Sequence, residues 1–201
     1  KYNSTSVPLE ITLCDAKGKQ VRVLEDNNSL KNLVARTDIP RKEFFTCKND
    51  AGDMLNGYMI KPLDFDASRR YPVVMVQYSG PGSQLVLDKW DVNWEQYLVS
   101  RGFIVACVDG RGTGARGNAF KTCVYMKLGE LETQDQVSAA RYMASLPYVD
   151  GKNIGIWGWS YGGYETLMAM SLSRDVYKAG VAIAPVTDWR FYDSIYAERY
   201  M

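Results

Sequence analysis

The chain has 201 residues, 46% of them hydrophobic and 23% charged, with a formal net charge of +1. These values describe a globular chain of one sizeable domain or one and a fraction, and exclude a disordered one. The near-zero charge gives no argument for nucleic acid or an anionic membrane as partner, and four cysteines without a CxxC spacing, in a chain with no histidine, give none for a zinc site.

Residues 1–37 open with two short alternating strands, LEITLCD and VRVLED, about the turn signal AKGK. A short helix is expected in NNSLKNLVART. This segment is too small to bury a core of its own. From about residue 42 the pattern changes. EFFTCKN and LNGYMIKP read as strands separated by DAGDM, and YPVVMVQYSG as a continuously apolar strand after the turn FDASRR. DVNWEQYLVSRG has helical spacing and ends on Gly102, a suitable residue just past a helix C-terminus. FIVACVDGRG is a further strand, in which Cys107 is expected to be a buried, inert thiol. LETQDQVSAARYMASL reads as an amphipathic helix, NIGIWGWS as a strand, YGGYETLMAMSLS as a helix and AGVAIAPV as a strand. Six strands alternating with helices predict an α/β fold: a mostly parallel sheet with helices on both faces. No stretch approaches the ~20 apolar residues of a membrane span, and no metal or cofactor is expected.

Two motifs carry chemistry. Gly158-Trp159-Ser160-Tyr161-Gly162 fits G-x-S-x-G, with a strand before it and a helix after it. A nucleophile elbow needs this context, because the tight turn lifts the serine hydroxyl out and aims the helix N-terminus at the reacting centre. The backbone N–H of Tyr161 is then a candidate oxyanion donor. The second motif, GTGARG at 112–117, fits G-x-G-x-x-G, but no acidic residue ends a following strand about twenty positions on. A structural glycine-rich loop is the favoured reading over a nucleotide site.

At GWSYGGY the sequence resembles the dipeptidyl peptidase IV branch of the prolyl oligopeptidase family. YPVVMVQYSGPGSQ, VDGRGTGARG, LGELETQDQ and APVTDWRFYDSIYAERYM agree in order and spacing. The resemblance implies an α/β-hydrolase domain over 38–201 that lacks its C-terminal strands, preceded at 1–37 by the last blade of a β-propeller and its linker. It implies Ser160 as nucleophile and Tyr78 as a second oxyanion donor beside the Tyr161 N–H. A pocket for a proline ring would be lined by Tyr161, Val186, Trp189, Tyr192 and Tyr196. The spacing 189, 192, 196 also fits a helical core stripe. Asp193, Glu198 and Arg199 read as structural. Ala179 stands where mammalian members carry a cysteine, so that disulfide is not expected.

By the same resemblance the protein would be a bacterial-type serine exopeptidase. It would release N-terminal dipeptides with Pro or Ala at the second position, as a homodimer in its full-length form, in a periplasmic, cell-surface or secreted setting. The triad order Ser, Asp, His places the acid and base beyond residue 201, so these residues alone would be an inactive fragment. A prolyl tripeptidyl peptidase, an acylaminoacyl-peptidase relative and a non-catalytic binding domain stand as alternatives.

Overall fold

A computed structural model describes residues 1–201. In chain order the elements are β1 (Tyr2–Ser4), β2 (Val7–Cys14), β3 (Gln20–Glu25), α1 (Asn28–Val34), β4 (Lys42–Lys48), β5 (Met54–Ile60), β6 (Tyr71–Val76), α2 (Trp94–Ser100) and β7 (Ile104–Asp109). There follow α3 (Asn118–Thr122), α4 (Glu130–Ser145), β8 (Val149–Trp159), α5 (Tyr161–Leu172), β9 (Ala179–Ile183) and α6 (Ser194–Tyr200). The first three strands form a separate antiparallel sheet in the order β1-β2-β3. Their contact with the rest includes the Thr5 N–H donating to Asp88 (2.7 Å) and the Trp90 N–H donating to Asn3 (2.8 Å). No helix is long and apolar enough to cross a membrane.

The main sheet has six strands in the order β4-β5-β7-β6-β8-β9. β4, β5 and β7 pair antiparallel, whereas β7, β6, β8 and β9 run parallel. The continuous apolar runs are explained by cover on both faces. Val73, Met75, Ile104, Ala106, Ile154 and Ile156 point to the core shared with α4 and α5. The intervening Val76, Val105 and Cys107 point to the opposite face, where Val99 of α2 packs. Pleating sends successive side chains to opposite faces, so a strand covered twice needs apolar residues at every position. All four cysteines are free thiols, Cys107 fully buried among them. Helix α2 ends as its sequence predicts: Gly102 adopts φ +87° and donates its N–H to the Val99 carbonyl (3.0 Å). β9 pairs only with β8, which leaves its other edge unpaired, and Ala179, Gly180 and Val181 are exposed.

Helix α4 differs from the amphipathic reading. Its buried face is polar over the first half: Glu132, Thr133, Asp135, Gln136 and Ser138 are all inside. Asp135 is fully buried because three groups satisfy it. Arg111 donates from its side chain (2.7 Å) and its backbone N–H (2.6 Å), and Asn49 from its amide (2.8 Å). Glu165 on α5 is also fully buried, but neither carboxyl oxygen has a partner. The neighbouring Thr133 hydroxyl gives its proton to the Gly129 carbonyl (2.6 Å).

Burial therefore pushes the Glu165 carboxyl well above its ordinary range, with the nearby Glu132 adding to the shift, and keeps it protonated. The unfolded chain releases this proton near the ordinary value of 4.5, the folded chain only at much higher pH. Its contribution to stability is therefore complete below 4.5 and is lost as pH rises. Glu165→Met, similar in volume and free of the buried polar group, is expected to stabilise the protein by ~1–3 kcal/mol at pH 7 and to flatten the fall in melting temperature between pH 5 and 8. Thermal unfolding across that range checks it; a variant less stable than the parent would contradict the assignment.

Candidate active site

The site gathers at the carboxyl ends of β6, β8 and β9, where a parallel sheet places its loops. β8 ends at Trp159 and α5 begins at Tyr161, so Ser160 alone makes the turn. Its backbone sits at φ 58°, ψ −115°, a conformation that an L-residue adopts only under constraint. The constraints are visible. The Ser160 N–H donates to the Ile183 carbonyl at the end of β9 (2.9 Å), and the Ser160 carbonyl accepts from Tyr164 (3.0 Å). A Cβ on Gly158 would overlap the Gly162 carbonyl, and one on Gly162 would stand 2.5 Å from the Gln77 carbonyl. A serine before a helix ordinarily turns its hydroxyl back onto the helix N–H groups. At this φ and ψ the Ser160 hydroxyl makes no such cap bond. Tyr161, as the first residue of α5, has an N–H without a partner inside the helix.

Tyr78 stands two residues past the end of β6, beside Ser160 and Tyr161, its ring centroid 6.1 Å from that of Tyr161. Burial, with Tyr192 close by, raises its hydroxyl above the ordinary tyrosine range, and the neighbouring Ser160 only partly offsets this. The phenol is thus held as a proton-bearing donor. A polar network that the sequence reading missed sets its position. Gln77 donates to the Gly162 carbonyl (2.7 Å) and to Thr166 (3.2 Å), tying the end of β6 to the first turn of α5. Ser79 donates back to Gln77 (3.0 Å), and Gln136 donates to Ser79 (3.2 Å) and to the Val108 carbonyl (2.9 Å). The available signal was a glutamine at the end of an apolar strand run, and glutamine and acidic residues recurring on what should have been the apolar face of α4.

The five residues expected to line a pocket fall on three segments. Tyr161, 2% exposed, lies between Tyr164 and Trp189, with centroids 5.5 Å away in both directions. Trp189 stacks on Tyr196 (5.6 Å, 8° between planes), and Tyr192 meets both edge-on at 5.8 and 5.4 Å. Val186 is half-buried in the segment between β9 and this cluster. The helical-stripe reading of 189, 192 and 196 is corrected. Trp189 lies in a 3-10 turn, Trp189–Phe191, Tyr192 is extended, and only Tyr196 is in α6. Asp193 breaks the stripe by capping α6, accepting from the Tyr196 N–H (2.8 Å).

The glycine-rich loop is structural. Gly112 donates to the Phe120 carbonyl (2.9 Å) and accepts from Gly82 (2.8 Å), and Gly114 donates to the Ser83 carbonyl (2.8 Å). A Cβ on Gly114 would lie 2.9 Å from the Gly82 carbonyl. The loop thus braces the segment just after Tyr78. Asp109 does so from the other side, accepting from the N–H groups of Leu85 (3.0 Å) and Val86 (2.8 Å).

Strand order and the strand–serine–helix turn define an α/β-hydrolase. The model of the prolyl oligopeptidase family matches residues 90–201, more than half of the chain. The crystal structure of Porphyromonas gingivalis dipeptidyl peptidase 4 superposes with a TM-score of 0.97 and 53% identity, over 100% of this chain and 29% of that one. Prolyl endopeptidase FAP of Bos taurus is 42% identical over 193 residues, 94% of this chain and 25% of that protein. Probable dipeptidyl-aminopeptidase B of Metarhizium robertsii is 43% identical over 182 residues, 90% of this chain and 20% of that protein. The chain therefore belongs to the prolyl oligopeptidase family. It spans about a fifth to a quarter of the length of these curated relatives.

Proposed function

We propose that this chain carries the nucleophile, the oxyanion hole and the proline pocket of a serine exopeptidase that releases N-terminal dipeptides through an acyl-enzyme. The observation that carries the reading is Ser160: an uncapped hydroxyl on a strained turn at the head of α5, with the Tyr78 phenol and the Tyr161 N–H beside it. Attack by Ser160 Oγ on the scissile carbonyl puts negative charge on the carbonyl oxygen, and both donors are suited to stabilise it. The cluster of Tyr161, Val186, Trp189, Tyr192 and Tyr196 offers flat apolar faces and edges, a surface suited to the pyrrolidine ring of proline and adequate for alanine.

A serine hydroxyl at neutral pH needs a base. These residues hold no histidine. In this reading the His and Asp of the triad come from elsewhere in the protein, and these residues alone do not turn over substrate. Residues 1–37 belong to the end of a β-propeller domain whose acidic residues hold the substrate amine, and the full-length protein is a homodimer outside the cytoplasm. The test uses the full-length enzyme on peptides with Pro, Ala or a bulkier residue second from the N-terminus. Mass spectrometry should find released dipeptides from the first two only, and nothing after Ser160→Ala. Tripeptides as the first product, or undiminished cleavage by the variant, would overturn the assignment.

Two further outcomes are expected in that enzyme. Tyr78→Phe should lower kcat by ~10²–10³ with a smaller change in KM, because its proton serves charge that exists mainly in the transition state. A kcat equal to the parent's would show that the Tyr161 N–H suffices. Tyr192→Ala should cost Pro substrates ~1–3 kcal/mol more than Ala substrates in kcat/KM, since only the ring uses the lost surface. Equal losses would mean a collapsed cluster instead of a specificity wall.

A further inference from the structure

Behind the elbow lies a carboxylate that the proposed chemistry does not use. Glu132, 1% exposed, sits in the first turn of α4. One of its oxygens accepts the Tyr161 hydroxyl (2.7 Å) and the other accepts the Gly129 N–H (3.0 Å). Gly129 needs its left-handed backbone, φ +86°, to begin α4 here, and a Cβ there would strike the Tyr164 hydroxyl. The same end of α4 is thus keyed to α5 twice: through Glu132 to Tyr161, and through the Tyr164 hydroxyl donating to the Leu128 carbonyl (2.9 Å). No cation pairs with Glu132.

We propose that Glu132 is a positioning residue for the reaction: by accepting the Tyr161 hydroxyl it fixes the Tyr161 ring and, through it, the Ser160–Tyr161 peptide whose N–H faces the developing oxyanion. This inference rests on the reading of Ser160 and the Tyr161 N–H given above. Tyr161 directly follows the strained residue, so the aim of its N–H depends on where its side chain is anchored. Ring packing against Tyr78, Tyr164 and Trp189 restrains translation but is soft to sliding; a hydrogen bond at the far end of the ring stops it. A carboxylate is the right acceptor because both incoming partners donate. Its bonds are charge-assisted and act in a water-excluded site, where they are stronger. A protonated or amide side chain accepts well on one oxygen only; it keeps the Gly129 N–H there and can hold Tyr161 only by donating to the phenol oxygen, a reversed bond without charge assistance.

The surroundings bear on its charge. Burial raises Glu132 to about 7; Tyr161 and the Gly129 N–H hold it down, and Asp135 pushes it up. The groups facing it are Asp135 on its own helix, Tyr161, Tyr164 and Glu165 from α5, Tyr196 from α6, and Cys123 just past α3. Asp135 is paired with Arg111 and Glu165 is held neutral, which leaves Glu132 as the unpaired acid of the three that ionises near neutral pH. The charge-assisted anchoring of Tyr161 therefore weakens as pH falls through about 7.

The test uses Glu132→Gln and Tyr161→Phe, singly and together, in the full-length enzyme. Two rates are read: kcat on a Gly-Pro substrate, and covalent labelling of Ser160 by a fluorophosphonate, whose phosphoryl oxygen occupies the same oxyanion hole. Each single substitution should lower both rates ~10–100-fold, the scale of a misplaced donor, with KM within about twofold, and the double variant should be no slower than either single one. Unchanged rates in Glu132→Gln, or losses that multiply in the double variant, would overturn the inference. Should Glu132→Gln fail to fold, Tyr161→Phe decides: a full rate without the hydroxyl refutes the anchor. If the parent enzyme releases no dipeptide yet its labelling rate depends on Glu132, the exopeptidase reading fails and the anchor stands.

Discussion

The backbone of Ser160 is held in a conformation that its own side chain disfavours, and the rest of the site is arranged to hold it there. Three strand ends contribute. β8 delivers the chain, β9 offers the Ile183 carbonyl to the Ser160 N–H, and the extension of β6 brings the Gln77 carbonyl so close to Gly162 that only hydrogen fits. Strain of this kind costs ~1–3 kcal/mol and persists only where surrounding structure over-determines it. The same over-determination explains why glycine stands at 158 and 162. Without it the chain would relax, Ser160 would cap α5 as an ordinary serine does, and its hydroxyl would turn away from substrate.

A second constraint is electrostatic. Glu132, Glu165 and Asp135 are buried close together below the turn, and three buried carboxylates cannot all be charged without compensation. The structure gives each a different solution. Asp135 is paired with Arg111, Glu165 is held neutral by burial, and Glu132 is met by hydrogen-bond donors alone. This is costly for stability, and a core of apolar residues would be simpler. The polar core lies where α4 and α5 meet the carboxyl ends of the strands; Glu132 bonds Tyr161 directly, and Gln136 reaches the segment after Tyr78 through Ser79.

Much of this was legible in the residues, for reasons that can be stated. The central strands β6 and β7 are continuous apolar runs with a glycine, Gly80 and Gly110, soon after each, and the helix of the elbow begins where the glycines and serine require it. Local chemistry therefore points to the same elements as the fold. The motif at 158–162 declared its own geometry because a crossing of two backbones leaves few residue choices. What was hidden depends on tertiary contact. The polar buried face of α4 looks like solvent-facing surface until Gln136 is seen to reach Val108 and Ser79. Trp189, Tyr192 and Tyr196 fit a helix by spacing, and Asp193 overrides that spacing by starting a helix of its own. The glycines at 112, 114 and 117 match a phosphate-binding pattern, yet Gly112 and Gly114 spend their N–H groups on neighbouring carbonyls.

Whether Ser160 is an activated nucleophile is tested most directly by covalent trapping. The full-length enzyme is treated with a fluorophosphonate, digested and mapped by mass spectrometry. A single stoichiometric adduct on Ser160 is expected, with loss of peptidase activity in proportion to labelling. An adduct on another residue that abolishes activity, or full activity with Ser160 modified, would contradict it.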